Sequence, residues 1–174
     1  MTTNTPHPYI ENQAGVLVDA GLTLHDVDSA TLASATLYMN AGYYKAGEDI
    51  LMFNNNHQNM GNITASSFDQ TTGIMHLVSE GATATVAEWQ NALRSVQYTN
   101  LSEAPVSSNY RAVRFVVNDG HSDSYLENTP YTSYQYLQVI AVNDAPVIHA
   151  PGNFTVTEDQ SSVLRGFSFS DVMP

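Results

Sequence analysis

Cysteine is absent from the 174 residues, and basic side chains are scarce, with five Lys and Arg against 17 Asp and Glu. Without thiols neither a disulfide framework nor a thiolate zinc site can form, and redox compartment cannot be read from cysteine usage. The formal charge of -12 repels phosphate backbones and anionic lipid while attracting cations, so nucleic acid is not the expected partner. No apolar run approaches the ~20 residues needed to cross a bilayer. The start, MTTNTPHPYI, lacks a basic region followed by an apolar core. A soluble segment with no membrane insertion is expected, any export signal lying elsewhere in a longer parent. Catalytic motifs are missing too. The six histidines (7, 25, 57, 76, 121 and 149) form no i, i+4 pair, and there is no Gly-x-Ser-x-Gly elbow, phosphate-cradling loop or dinucleotide fingerprint. The expectation is a protein that is not an enzyme.

What is present is strand-like nearly throughout. SATLYMN (34–40), DILMFNN (49–55), GIMHLVS (73–79), SVQYTN (95–100), YRAVRFVVN (110–118) and YQYLQVIAV (134–142) are short, rich in β-branched and aromatic residues, and separated by turn formers. Residues 69–73 read as a hairpin turn in which Gly73 supplies a positive backbone angle. The single helical signal is TVAEWQNALRS. There Thr85 and Glu88 have capping-box spacing and Val86, Trp89 and Leu93 recur at helical intervals, so Trp89 is expected to anchor a core. The fold class expected is all-β, a β-sandwich with one short helix.

The chain also restarts its own pattern. Ile10 to Val27 and Thr157 to Val172 align after a two-residue gap: Glu11 on Glu158, Gln13 on Gln160, Val16-Leu17 on Val163-Leu164, Gly21 on Gly166 and Asp26-Val27 on Asp171-Val172. That period is too long for a solenoid and suits strung globular modules. The expected organisation is a leader or linker at 1–7, one complete module at 8–146, and a linker with the first strands of a second module at 147–174.

Five motifs in order carry a resemblance: ENQ at 11–13, DVDS at 26–29, ALRSVQYTN at 92–100, FVVNDG at 115–120 and VNDAP at 142–146. Together they resemble the cadherin-like repeats of giant bacterial surface adhesins of the repeats-in-toxin type. The resemblance implies a seven-stranded Greek-key sandwich (cadherin/immunoglobulin-like), export to the extracellular cell surface, and calcium at the junctions between adjacent repeats. VNDAP is similar to the linker of animal cadherins, where Asp and Asn oxygens grip calcium, and Glu11 resembles their first-strand Glu. The second copy departs from the pattern, with Met173 where Asp28 stands in the first.

Calcium takes six to eight hard oxygens at about 2.3–2.6 Å, which Asp, Glu and Asn supply. Strand alternation in HDVDS is expected to project Asp26 and Asp28 to one side, and His25 to the other. Two like charges ~4 Å apart repel by roughly 4 kcal/mol at an effective dielectric of 20, which a divalent ion reverses. Asp26, Asp28 and Asp119 are expected at the pole where the chain enters the module, awaiting a preceding module. Asn143, Asp144 and Glu11 are expected where it leaves, meeting Asp171 of the next copy. An alternative role is recognition of a host or cell-surface glycan or protein. For that role the loop 54–62, including Asn55, and the tyrosine-rich stretch 125–136, including Tyr134 and Tyr136, offer amide donors and aromatic faces. The sequence leaves spacer and adhesive head both open.

Overall fold

A computed structural model of the chain describes residues 2–3, 5–39, 43–121, 134–153, 155–163 and 165–171. The expected turn 69–73 lies within it, whereas Leu164, Val172, Met173 and the tyrosine-rich stretch up to Ser133 lie outside the described residues.

The described residues are mostly β-sheet with one α-helix. β1 (His7–Ile10), β2 (Val16–Leu17), β3 (Ser34–Met39), β4 (Asp49–Met52), β5 (Ile63–Ala65) and β6 (Ile74–Ser79) precede α1 (Val86–Arg94). β7 (Gln97–Asn100), β8 (Arg111–Asn118), β9 (Tyr134–Ile140), β10 (Val147–His149) and β11 (Ser168–Ser170) follow it. A six-stranded sheet runs β1-β9-β8-β3-β6-β5 and a three-stranded sheet runs β2-β7-β4. The resemblance implied seven strands; nine are found in these two sheets, because β5 and β6 widen the larger one beyond β3. Among the described residues all strand pairings are antiparallel except β1 with β9, which is parallel from His7↔Leu137 to Ile10↔Ile140.

Alternation explains why these segments become strands. In β3 the buried Ala35, Leu37 and Met39 alternate with less buried Thr36 and Tyr38, and β6 and β9 repeat the pattern. One face of each strand therefore has to find an apolar partner. That partner is the smaller sheet. Leu37, Leu77 and Leu137 of the larger sheet share one core with Leu51 and Tyr98 of the smaller. Tyr9 meets Tyr98 edge-on across the gap, centroids 5.2 Å apart at 86°. Helix α1 plugs this core through buried Trp89, Ala92 and Leu93. Trp89 is fully buried and its Nε1 donates to Leu32 O at 2.9 Å, which satisfies the indole's donor.

One polar cluster also spans the sheets. Asp49, fully buried at the start of β4, accepts from the Tyr98 hydroxyl (2.6 Å), Asn100 Nδ2 (2.8 Å) and Arg111 Nε (2.8 Å). It thereby ties β4 and β7 of the small sheet to β8 of the large one. Burial first, then the Asp49 charge, raises the Tyr98 phenol well above its ordinary range.

Two positions matched by the internal sequence repeat share a backbone conformation. Asn12 and Asp159, equivalent in the two copies, both adopt positive φ (62° and 60°). Each is bracketed by a matching turn bond, Gln13 N to Ile10 O at 3.2 Å and Gln160 N to Thr157 O at 3.3 Å. In the first copy Leu22 is buried and Leu24 packs on the core. Their counterparts Phe167 and Phe169 are 51% and 83% exposed, beside an open apolar recess that Pro146 and Ile148 also line.

Candidate metal centres

Among the described residues two groups of three carboxylates form, at opposite ends of the paired sheets: Glu11, Glu103 and Asp144, and Asp26, Asp28 and Asp119. Their ends are opposite because β8 and β9 are antiparallel. Asp119 follows β8, whereas Asp144 lies beyond the end of β9.

The trailing-end group is built by three chain segments. Glu11 follows β1, whose parallel pairing to β9 continues through Glu11 N to Ile140 O at 2.9 Å. Its side chain is only 5% exposed. Oε2 accepts from Val142 N at 2.7 Å, while Oε1 is buried with no hydrogen-bond partner, as is Asp144 Oδ2. Burying a polar oxygen unpaired is costly, and here two such oxygens belong to members of one acidic group. Glu103, the third member, is exposed, and its Oε2 is 3.5 Å from Asn12 Nδ2. Sequence reasoning passed over Glu103. The available signal was its tripeptide: Glu103-Ala104-Pro105 repeats the form of Asp144-Ala145-Pro146, and proline holds the residue before it extended.

At the leading end all three expected acids converge, though by a different local geometry. Residues 26–29 are not a strand. Instead Asp26 Oδ1 accepts from Asp28 N (3.1 Å) and Ser29 N (2.8 Å), an Asx turn that curls the backbone so both carboxylates reach one point. These backbone donors, Ser29 first, hold the Asp26 carboxyl below its ordinary range. Ser29 Oγ donates to Asp119 Oδ2 at 3.1 Å, joining this turn to the one after β8. There Gly120 N donates to Asn118 Oδ1 and His121 N to Asp119 Oδ1.

Other expected residues lie apart. Asn143 is exposed and its Nδ2 donates to Asp144 O at 2.8 Å. Asp171 is exposed and joins neither group. Asn55 is occupied within its own loop, where Nδ2 donates to Gly61 O (3.0 Å) and Ile63 O (2.9 Å) and Oδ1 accepts from His57 N (2.7 Å). Tyr134 and Tyr136 on β9 are stacked, centroids 6.5 Å apart and planes inclined 24°.

The two groups fit a hard cation. Every donor is a carboxylate, and within each group one atom per residue lies within 4.8 Å of the others.

The chain is similar to Halomucin of Haloquadratum walsbyi, at 30% identity over 119 residues. That alignment takes in 68% of this chain and 1% of Halomucin, so the chain spans a very small part of the protein it matches. No family model matches the chain. No solved structure matches it either. Among the described residues no helix is long and apolar enough to cross a membrane.

Proposed function

We propose that the chain is one module, with the opening of the next, of a very large extracellular cell-surface protein, and that calcium bound at both module ends stiffens the series. The observation carrying this is the pair of buried, unpartnered oxygens, Glu11 Oε1 and Asp144 Oδ2, carried by two members of one all-carboxylate group. A cation supplies the partner those oxygens lack. It also converts mutual repulsion into a bond between the end of β1 and the linker after β9. The similarity to a stretch of Halomucin about one hundredth of its length supports placement in a long surface chain. The repeated Asn12 and Asp159 turn, with Phe167 and Phe169 more exposed than their counterparts Leu22 and Leu24, supports a second module beginning near Val147. In that arrangement acids of the next module, Asp171 among them, complete the trailing-end group.

Thermal unfolding in chelator and in calcium tests the proposal. A ligand at a hundred times its Kd stabilises the native state by about 2.7 kcal/mol, which raises Tm by roughly 5–10 °C for a domain of this size. Asp144→Ala and Asp26→Asn are each expected to remove part of that rise, and together most of it. Magnesium is expected to give less. An unchanged Tm between chelator and millimolar calcium disproves calcium binding by this module.

A further inference from the structure

On the larger sheet's outer face β3, β8 and β9 align Tyr38 opposite Arg114 and Arg114 opposite Tyr134. Tyr136 lies next along β9, and Tyr110, 47% exposed, meets it edge-on at 6.4 Å. The Arg114 guanidinium stands 6.0 Å from the centre of the Tyr134 ring. Its Nε is buried without a hydrogen-bond partner, and no carboxylate among the described residues pairs with Arg114. That is unusual in a chain with 17 acidic side chains and only five basic ones. Arg111 is spent in the ion pair with Asp49, and Arg94 Nε donates to Leu22 O at 2.6 Å. Among the described residues Arg114 is therefore a cation without a carboxylate partner, set beside partly exposed tyrosine rings.

We propose that this face binds an acidic saccharide, a pyranose ring bearing a carboxylate. The Arg114 guanidinium holds the carboxylate through charge-assisted hydrogen bonds. The stacked pair of Tyr134 and Tyr136, centroids 6.5 Å apart, packs against the apolar side of the sugar. Charge complementarity selects the carboxylate over a neutral sugar, because bulk repulsion from the net charge of -12 is screened beyond a Debye length while the direct contact is not. The site is separate from both carboxylate groups.

Calorimetric titration of the chain with trigalacturonate, and with its neutral methyl ester, tests this at moderate salt. Hydrogen bonds to a charged group are strong enough that trigalacturonate is expected to bind at least about tenfold more tightly than the ester. Arg114→Gln is expected to erase that preference, and Tyr134→Ala/Tyr136→Ala to weaken both ligands. The melting temperature of each variant, with and without calcium, reports folding and the metal sites independently. No heat with trigalacturonate, equal affinity for the ester, or undiminished binding by folded Arg114→Gln overturns the assignment. So does tighter binding of a peptide through its terminal carboxylate.

Discussion

Asp49 begins β4 and is fully buried, yet it faces four donors: Lys45 N, Tyr98, Asn100 and Arg111. Removing one member of a buried pair strands the other, so Asp49→Ala is expected to cost about 3–5 kcal/mol. A urea midpoint measures this, and the apolar double replacement Asp49→Leu/Arg111→Met is expected to recover most of the loss. Nothing in the sequence marked this pair, because its partners lie 62 positions apart and only the fold brings them together. Acids in turns were easier to identify. Asp26, Asp28, Asp119 and Asp144 sit in loops where Gly, Ser or Pro follows closely, so the grouping of Asp26, Asp28 and Asp119 had a local signal in the sequence. The place of Glu103 in its group was not legible there, since it depends on how β7 is placed relative to β1.

At the scale of elements, local chemistry determined most of what the sequence revealed. The capping box is formed as spaced: Glu88 N donates to Thr85 Oγ1 at 3.3 Å and Thr85 N to Glu88 Oε2 at 2.8 Å. Thr85→Ala is expected to lower stability by about 1 kcal/mol, read from denaturant unfolding. The Thr85 backbone N–H holds the Glu88 carboxyl below its ordinary 4.5. Its folded pKa is thus lower than its unfolded one, and the stabilisation is present above about pH 4.5 and lost as pH falls through the folded value. Glu88→Gln is therefore expected to flatten that part of the stability profile; an unchanged acid limb refutes the role. Strand cores were legible for the same local reason, alternation, while their ends were overestimated: 49–55 shortens to Asp49–Met52 and 134–142 to Tyr134–Ile140. In each case side chains beyond the cut lack a neighbouring strand to pair with. The geometry at Asp26 departs from strand alternation because β2 has already ended at Leu17 and an Asx turn governs the backbone.

For the whole molecule, a charge of -12 on 174 residues opposes compaction, and screening relieves it. Melting temperature is expected to climb as sodium chloride rises from about 0.05 to 1 M, where the Debye length shrinks to about 3 Å. Calcium is expected to add a further increment at the highest salt, because close contacts to buried oxygens escape screening. A melting temperature independent of sodium chloride contradicts this. The pairing of β1 with β9 was not readable from the sequence, as four residues contain no directional cue. That pairing sets how the module carries tension. β1 and β9 run the same way with four residues in register, so a pull on the chain at one end and on the linker at the other slides the two strands lengthwise. Their hydrogen bonds are then loaded together, as rivets in a lap joint are, and no bond can open ahead of the rest. A module closed this way resists stretching through its first and last strands, whatever the stability of its interior.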